Sequence, residues 1–313
     1  MKVSLTDAIK LILNGDVVAI PTETVFGLAA SIFKESGIKK IFELKNRPAD
    51  NPLIVHISSL DQIKGFVDQS ILEEIHPLIK NFWPGALTLL LPLKKDSSIS
   101  TKITANLPNI AVRMPNHPIT LKLIDQTGPL VAPSANLSTL PSGTLFHHIE
   151  NDFGSDFPIL DGEILCNGIE STILAKEDGV WKIAREGLLT PSNLKEILGY
   201  LPPLLEKKHK PICPGQMYKH YSPKATIYLR SYDETRKNEE VTVGYIEREY
   251  ENAKRLIYLG SLKNPSSLRK NLYATLRLLD EEQINHAVID FDIPDDENFR
   301  IIKERLKKAA ALC

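Results

Sequence analysis

The sequence predicts an α/β protein built from two domains, and three observations support this. The chain has 313 residues, and a single hydrophobic core rarely grows beyond about 250–300 residues. Segments with strand-like patterns alternate with segments of helical periodicity along most of the chain. A proline- and lysine-rich stretch interrupts this alternation at 201–224. We therefore expect a larger domain at 1–200, a linker at 201–224 and a smaller domain at 225–313.

The first domain should begin with a helix after Ser4, because Ser4 and Asp7 can cap a segment with one apolar face, and Asn14-Gly15 should end it. Further helical patterns lie at 37–47, 70–82, 118–126 and 191–199. Pro77 should break or bend the second of these. Strand-like patterns lie at 17–20, 52–57, 85–93, 109–115, 129–136, 171–175 and 180–186, and the last two read as a hairpin.

The smaller domain repeats the alternation in fewer elements. Strands are predicted at 225–230, 241–246, 255–260 and 286–292, and helices at 266–282 and 297–312. In the first of these helices Leu268, Leu272, Leu276 and Leu279 recur at helical spacing. This order predicts a small, open, Rossmann-like α/β sheet.

Composition excludes several functional classes. The formal net charge is −1, so tight non-specific nucleic-acid binding is not expected, and any RNA contact should be local or transient. No apolar run approaches the roughly 20 residues that a membrane helix needs. The three cysteines have no metal-finger spacing. These features predict a cytoplasmic protein with no membrane contact and no protein-bound metal.

The familiar phosphate-binding glycine motifs are absent, so phosphates would have to be held by cationic side chains. Lys45, Arg47, Arg113 and Arg185 all occur where a predicted helix or strand gives way to a loop. An isolated lysine or arginine is usually a solvated surface charge. Four of them at element ends favour a ligand site, because open α/β sheets bind ligands at the carboxyl edges of their strands.

Polar residues near these cations extend the candidate site. Asn51 and His56 follow Arg47, and small hydroxyls occur in the segments APSAN (132–136) and ESTI (170–173). Ser134 has no histidine and acid partners at motif spacing, so we interpret it as a hydroxyl that lines a pocket rather than as a nucleophile. Residue patterns alone thus predict a two-domain α/β protein with a site for an anionic ligand.

Six motifs in a fixed order add a resemblance to a known family. The chain resembles the YrdC-type threonylcarbamoyl-AMP synthases in their longer form with a C-terminal extra domain, strongly over 5–200. That resemblance implies a twisted, open, YrdC-like α/β sheet with a basic cavity. The motifs are PTETVFGLAA, KNRPADNPLIVHI, AVRMPNHP, APSANLS, ESTIL and YKHYSPKA.

The resemblance also implies a reaction. Such enzymes convert L-threonine, bicarbonate and ATP into L-threonylcarbamoyladenylate and pyrophosphate, normally with Mg²⁺ accompanying the ATP. Partner proteins then transfer the threonylcarbamoyl group to an adenosine of tRNA. This is the first step in forming N6-threonylcarbamoyladenosine.

Positions matched to the family give an expected site. Lys45 and Arg47 would stabilise the charge that develops during the reaction. The linker would cover the site, with Tyr221 folding over the ATP. The expected threonine contacts are Thr24, His56, Arg113, Ala132 and Ser171. The expected ATP contacts are Lys45, Arg47, Asn51, Asn109, Ser134, Ser142, Arg185 and Tyr221.

Two alternatives remain open at this stage. The chain could be an RNA-binding module that uses a basic concave sheet, although its near-neutral net charge weakens this interpretation. It could also be a carbamoyl-transfer enzyme that shares the domain. Proteins of that kind carry zinc-finger cysteines near the domain, and this sequence has none.

Overall fold

The computed structural model describes residues 1–206, 213–214 and 221–310, and it confirms the α/β class. Its helices are α1 Leu5–Leu13, α2 Glu35–Lys45, α3 Gln69–Glu74, α4 His76–Phe82, α5 Thr101–Thr104, α6 Pro118–Thr127, α7 Phe146–Phe153, α8 Pro191–Leu198, α9 Tyr232–Thr235, α10 Pro265–Glu281 and α11 Glu297–Ala310, with a short 3-10 turn at Leu60–Ile63. Within this described part of the chain, no helix is both long and apolar enough to cross a membrane.

The strands form two sheets. Those of the first part of the chain are β1 Lys2–Val3, β2 Val18–Ile20, β3 Gly27–Ser31, β4 Ile54–His56, β5 Leu87–Pro92, β6 Asn109–Arg113, β7 Leu130–Val131, β8 Ile159–Leu160, β9 Thr172–Glu177 and β10 Val180–Arg185. They make one mixed sheet in the order β1-β8-β2-β3-β7-β4-β6-β5-β9-β10. β9 and β10 pair antiparallel, which confirms the predicted hairpin.

The second sheet is smaller and entirely parallel. Its strands are β11 Thr226–Arg230, β12 Val241–Tyr245, β13 Arg255–Gly260 and β14 His286–Asp290, in the order β11-β14-β12-β13. The predicted leucine face of α10 is buried, from Leu268 to Leu279. Parallel strands need helical crossovers, and α10 connects β13 to β14 in this way.

Several elements escaped the sequence-based prediction for identifiable reasons. β1 and β8 are two residues long, too short to show any periodicity, and they pair across more than 150 residues. β3 is buried along its whole length, so it lacks the alternation of a half-buried strand. Pro77, in contrast, separates α3 from α4 as expected and occupies the first turn of α4.

Apolar packing crosses the predicted domain boundary. One large cluster covers the first sheet, but the cluster of the second sheet also includes Val25, Cys166 and Ile169 from the first part of the chain. The two parts approach each other closely at Gly168, because a Cβ there would meet the backbone oxygen of Arg269 at 2.2 Å. The limits 1–200 and 225–313 therefore stay a prediction. Of the linker, 207–212 and 215–220, with Tyr218 and His220, lie outside the described residues.

Candidate active site

One row of paired residues crosses five strands and organises the site. His56 on β4 is the register partner of Arg113 on β6, which pairs with Thr88 on β5. Thr88 pairs with Ile173 on β9, and Ile173 with Arg185 on β10. Directly paired residues point to the same face of a sheet. Because β4, β6 and β10 run in the same direction, their carboxyl ends bring one histidine and two arginines to a common edge.

A cavity lies over this face, and His56, Arg113 and Arg185 line it. Among the described residues that line it, four side chains are cationic and one is a carboxylate. That balance suits a ligand with several negative charges. All but one of the predicted site residues line this cavity, namely Thr24, Lys45, Arg47, Asn51, His56, Arg113, Ala132, Ser134, Ser142, Ser171, Arg185 and Tyr221.

Asn109 is the exception. It begins β6, whereas Arg113 ends this strand, and a strand rises about 3.3 Å per residue. Asn109 instead lines a separate depression with Pro92 and Leu205. The structure therefore does not bring Asn109 together with the other predicted ATP contacts. Asn109 is only four residues from Arg113 in sequence, but the extended strand places the two residues at opposite ends of β6.

The segment Thr22-Glu23-Thr24 forms a buried polar turn between β2 and β3. The hydroxyl of Thr22 donates to the carbonyl oxygen of Val25 at 2.6 Å, so its oxygen accepts the hydroxyl proton of Thr24 at 2.8 Å. Arg113 Nη1 donates to Thr24 Oγ1 at 2.8 Å. A hydroxyl has one proton and two lone pairs. Thr24 can therefore accept one more hydrogen bond from a ligand but has no proton left to donate.

Arg113 is fixed from three sides. Its Nη2 pairs with Glu23 Oε1 at 2.6 Å, and its Nε donates to the carbonyl oxygen of Gly85 at 3.1 Å. The thiol of Cys166 donates to the backbone oxygen of Thr24 at 2.7 Å. Burial raises the pKa of this thiol to about 12, so it serves as a hydrogen-bond donor and not as a nucleophile.

His56 is a neutral hydrogen-bonding group. Burial, followed by the charge of Arg113, lowers its pKa to about 3. Its Nδ1 lies 3.2 Å from the carbonyl oxygen of Ile54. A carbonyl can only accept, so Nδ1 carries the proton in this tautomer and Nε2 is left as an acceptor. His56 therefore offers a second acceptor near Thr24 without adding charge.

Lys45 ends α2 inside the protein, with 2% of its surface exposed. Its Nζ donates to the carbonyl oxygens of Ser134 at 2.5 Å and Asn136 at 2.6 Å. Burial, together with the charge of Arg47, lowers the pKa of this amine well below its usual value. A bound anion would counter that cost and favour the ammonium form.

Arg47 follows the left-handed residue Asn46 just after α2. Its Nη2 donates to Asn51 Oδ1 at 2.7 Å and to the carbonyl oxygen of Pro52 at 2.6 Å, and its Nε donates to the backbone oxygen of Asn51 at 3.0 Å. The planar guanidinium is thus oriented by three bonds. Asn51 acts in this structure as a support for Arg47.

Arg185 and Ser171 form a second oriented pair. Arg185 Nη2 donates to the backbone oxygen of Ser171 at 2.8 Å and to its Oγ at 3.0 Å. Ser171 Oγ also lies 2.7 Å from Thr88 Oγ1. Arg185, a predicted ATP contact, and Ser171, a predicted threonine contact, are therefore hydrogen-bonded to each other.

Sequence reasoning missed Glu170, the carboxylate of the cavity wall. Its Oε1 accepts from Ser142 Oγ at 2.9 Å, and its Oε2 from the hydroxyl of Tyr273 at 2.9 Å. Arg305 Nη2 lies 3.3 Å from Oε2. Burial alone would raise the pKa of Glu170, but Arg305, Arg185 and the bond from Ser142 lower it overall. An acidic residue two positions before a largely buried strand was the available signal.

Tyr221 lines the cavity as predicted, and elements of the second sheet hold it there. Its ring stacks on Tyr273 with a centroid distance of 5.1 Å, and the guanidinium of Arg305 lies 4.7 Å from its centroid. Its φ of 64° is left-handed, a conformation that costs a non-glycine residue about 1–2 kcal/mol. The stacking and cation–π contacts offset that cost.

Within the described part of the chain, one cluster has metal-ligand composition, and it does not fit a metal. His147, His148 and Glu281 lie together. His148 Nδ1, however, accepts from the backbone N–H groups of Thr144 and Leu145 at 3.2 and 3.3 Å. Its proton must then be on Nε2, the atom that faces Glu281, so this nitrogen has no lone pair for a metal.

Comparisons with known proteins agree with the fold. A family model described as "Telomere recombination", for the Sua5, YciO and YrdC proteins, matches residues 10–187. A second, described as "Threonylcarbamoyl-AMP synthase, C-terminal domain", matches residues 189–311. A curated relative from Bacillus subtilis (strain 168), named threonylcarbamoyl-AMP synthase, is 36% identical over 98% of this chain and 92% of its own length. The chain belongs to the threonylcarbamoyl-AMP synthase family.

Other members of the threonylcarbamoyl-AMP synthase family support this assignment. A relative of that name from Pyrococcus abyssi is 36% identical over 95% of this chain and 91% of its own length. The crystal structure of P. abyssi Sua5 complexed with L-threonine matches with a TM-score of 0.87 and 32% identity, covering 99% of this chain and 97% of that one. The family match thus extends over both sheets.

Proposed function

We propose that this chain makes L-threonylcarbamoyladenylate and pyrophosphate from L-threonine, bicarbonate and ATP. The observation that supports the proposal is that twelve predicted site residues, distributed along the chain from Thr24 to Tyr221, line one cavity. Its relatives bear the name of this enzyme. The product would pass to partner proteins that act on tRNA in the cytoplasm.

Threonine would bind at the Thr24 end of the cavity. There Arg113 offers a positive charge to the carboxylate, while Thr24 Oγ1 and His56 Nε2 offer acceptors to the amino or hydroxyl group. Valine lacks the hydroxyl, so a site that bonds to this group would reject valine. Ala132 is small and leaves room for the substrate beside it.

The reaction would join two anions. Bicarbonate and the amine of threonine give a carbamate with loss of water. A carbamate oxygen then forms a bond to the α-phosphorus of ATP, and the bond from that phosphorus to the bridging oxygen breaks as pyrophosphate leaves. Lys45, Arg47 and Arg185 would neutralise the phosphate charge and hold the reactants in line. The carbamate is already ionised, so the step requires no strong general base.

Mg²⁺ would enter with ATP rather than occupy a resident protein site. Among the described residues that line the cavity, Glu170 is the one carboxylate, and its oxygens already accept from Ser142, Tyr273 and Arg305. Mg²⁺ in phosphoryl-transfer sites is commonly bound mainly by substrate phosphates and water. The ion would supply charge neutralisation at the leaving pyrophosphate.

The cavity also argues against recognition of an RNA duplex at this site. Thr24, His56 and Arg113 are all at most 4% exposed, so a duplex could not reach them. Any tRNA contact would lie elsewhere on the molecule and would be weak or transient.

Pyrophosphate release tests the proposal. The purified protein should release pyrophosphate only when L-threonine, bicarbonate and ATP are all present, and valine should not replace threonine. An enzyme that hydrolyses ATP equally well without threonine would contradict the proposal. A steep salt-dependent RNA gel shift without threonine-dependent turnover would favour the RNA-binding alternative.

A further inference from the structure

The cavity wall at Glu170 is supported from the second sheet. Tyr273 lies on α10 and Arg305 on α11, and both reach Glu170. Arg305 is fully buried, and its Nη2 also donates to the backbone oxygen of Glu186 at 3.0 Å. The same guanidinium packs over Tyr221. Arg305 therefore contacts Glu170 and Glu186 of the first domain and Tyr221 of the linker, while its own helix packs with the second sheet.

Glu170 needs this partner because of where it lies. It is a buried carboxylate in a cavity that would receive triphosphate. Removing one member of a buried ion pair leaves an uncompensated charge and is strongly unfavourable. Without Arg305, Glu170 would have to move towards water or take up a proton, and either change would disturb its bond from Ser142.

The hydrogen bond from Ser142 to Glu170 determines which ligand groups Ser142 can bind. Ser142 donates its only hydroxyl proton to Glu170, so its remaining capacity is to accept. A phosphate oxygen is also an acceptor and cannot satisfy it. The complementary ligand group is a hydrogen-bond donor, such as a ribose hydroxyl or an amino group of the base.

We propose that Arg305 and Tyr273 are positioning residues for the nucleotide end of the cavity. They act through Glu170, which orients Ser142 as an acceptor, and they hold Tyr221 at the rim. This inference rests on the proposed function, since it assigns a role in ATP binding. It makes the second sheet's helices a support for the wall of the active site, because Tyr273 and Arg305 contact Glu170 without lining the cavity themselves.

At the threonine end, the side chains of three residues are held by contacts within the first domain. The side chains of Thr24, His56 and Arg113 make hydrogen bonds to Thr22, Ile54 and Gly85, and Arg113 also forms an ion pair with Glu23; all these partners lie in the first domain. A change at Arg305 should therefore affect the two substrates unequally, whereas a general loosening of the fold would affect both.

Steady-state kinetics on the full chain test the proposal with Arg305→Met, Tyr273→Phe and Arg305→Lys. Arg305→Met should raise KM for ATP about tenfold or more and KM for threonine less than about twofold, and Arg305→Lys should recover part of the loss. Arg300→Met is the matched control. It removes an arginine from the same helix and its ion pair with Glu186, whereas the ion pair of Arg305 is with Glu170 in the cavity wall.

Three outcomes would overturn the inference. They are an unchanged KM for ATP in folded Arg305→Met, equal changes in both KM values, and an equal effect of Arg300→Met. If Arg305→Met does not fold, Tyr273→Phe tests the inference instead. This variant removes only the hydroxyl that bonds to Glu170 and keeps the ring stacked on Tyr221. It should still raise KM for ATP, by about threefold or more. A wild-type chain without threonine-dependent turnover would instead contradict the proposed function itself.

Discussion

Thr24 has no hydroxyl proton left to donate to a ligand, because it donates this proton in its hydrogen bond to Thr22 Oγ1. Its oxygen also accepts a hydrogen bond from Arg113 Nη1. A substrate group that contacts Thr24 must therefore be a donor. Replacing Thr24 with valine would leave Arg113 Nη1 without this acceptor and would remove one acceptor for the ligand. Net loss of one hydrogen bond is worth about 0.5–1.5 kcal/mol.

Thr24→Val should accordingly raise KM for threonine by about three- to tenfold while the fold stays intact. Titration of threonine in the pyrophosphate assay measures this. The control is Thr127→Val, a buried threonine of α6 whose hydroxyl bonds within its own helix to Leu123. Equal KM values for wild type and Thr24→Val would remove Thr24 from the threonine site.

His56 makes stability depend on pH. Its pKa is about 3 in the folded protein and about 6.5 in an unfolded chain. Between these pH values the unfolded chain binds more protons than the folded protein, so the free energy of unfolding rises with pH. The contribution of His56 to stability is fully present above about pH 6.5 and decreases as pH falls towards 3. The largest slope for one such group is about 1.4 kcal/mol per pH unit.

His56→Gln should therefore flatten the pH dependence of unfolding between about pH 4 and pH 6. Denaturant unfolding at several pH values measures the slope. His148 contributes in the same direction, since burial lowers its pKa to about 3 as well, so some slope should remain. Exposed His76 provides the control, and identical slopes for wild type and His56→Gln would contradict the assignment.

At the residue scale, the sequence located cationic side chains of the cavity where they end a helix or a strand. Lys45, Arg113 and Arg185 end their elements, and all three line the cavity. Glu170 and Arg305 were not predicted as a pair, because 135 residues separate them. Only the packing of α11 on the first domain brings them together, and no local pattern encodes that contact.

At the scale of elements, a buried ion pair joins α10 to α7. Arg277 Nη2 lies 2.6 Å from Asp152 Oδ2, both side chains are at most 7% exposed, and Arg277 Nε donates to the backbone oxygen of Pro141 at 3.0 Å. Burying two charges costs desolvation energy, so such a pair stabilises little relative to apolar residues. Breaking it is nevertheless expensive.

Arg277→Met should lower the free energy of unfolding by about 3–5 kcal/mol, because Asp152 would remain buried without its partner. Adding Asp152→Asn should recover a large part of that loss, since the double variant has no unpaired charge. Denaturant unfolding of the two single variants and the double variant measures the coupling. Strictly additive losses would show that the two side chains do not depend on each other.

Element prediction depended on length and on periodicity. α10 was predicted because seventeen residues show one leucine face. β1 and β8 were not, because two residues show no period, and α7 was missed because its N-cap is Leu145 rather than a polar capping residue. The alternation of longer elements was still enough to give the α/β class.

At the scale of the whole molecule, the two sheets share apolar packing and buried charges. Val25 and Ile169 of the first domain pack in the cluster of the second sheet. Removing that sheet would expose them and would leave Glu170 and Asp152 without their arginines. The second sheet is thus a structural part of the catalytic unit.

A chain ending at Glu206 should consequently lose threonine-dependent pyrophosphate release by about a hundredfold or more, because the nucleotide end of the cavity loses its support. Turnover per folded molecule, with circular dichroism to count folded chains, is the measurement. Full activity of this truncated chain would contradict both the shared packing and the role of Arg305.

The ion pair between Glu170 and Arg305 also has a consequence for biosynthesis. The ribosome makes Glu170 with the first sheet, but Arg305 follows only after the whole second sheet has been translated. Until then the nascent chain carries a carboxylate in the cavity wall without its arginine partner from the second sheet. Competence for ATP should therefore appear late in translation, and chains released early would neither consume ATP nor release a reactive adenylate.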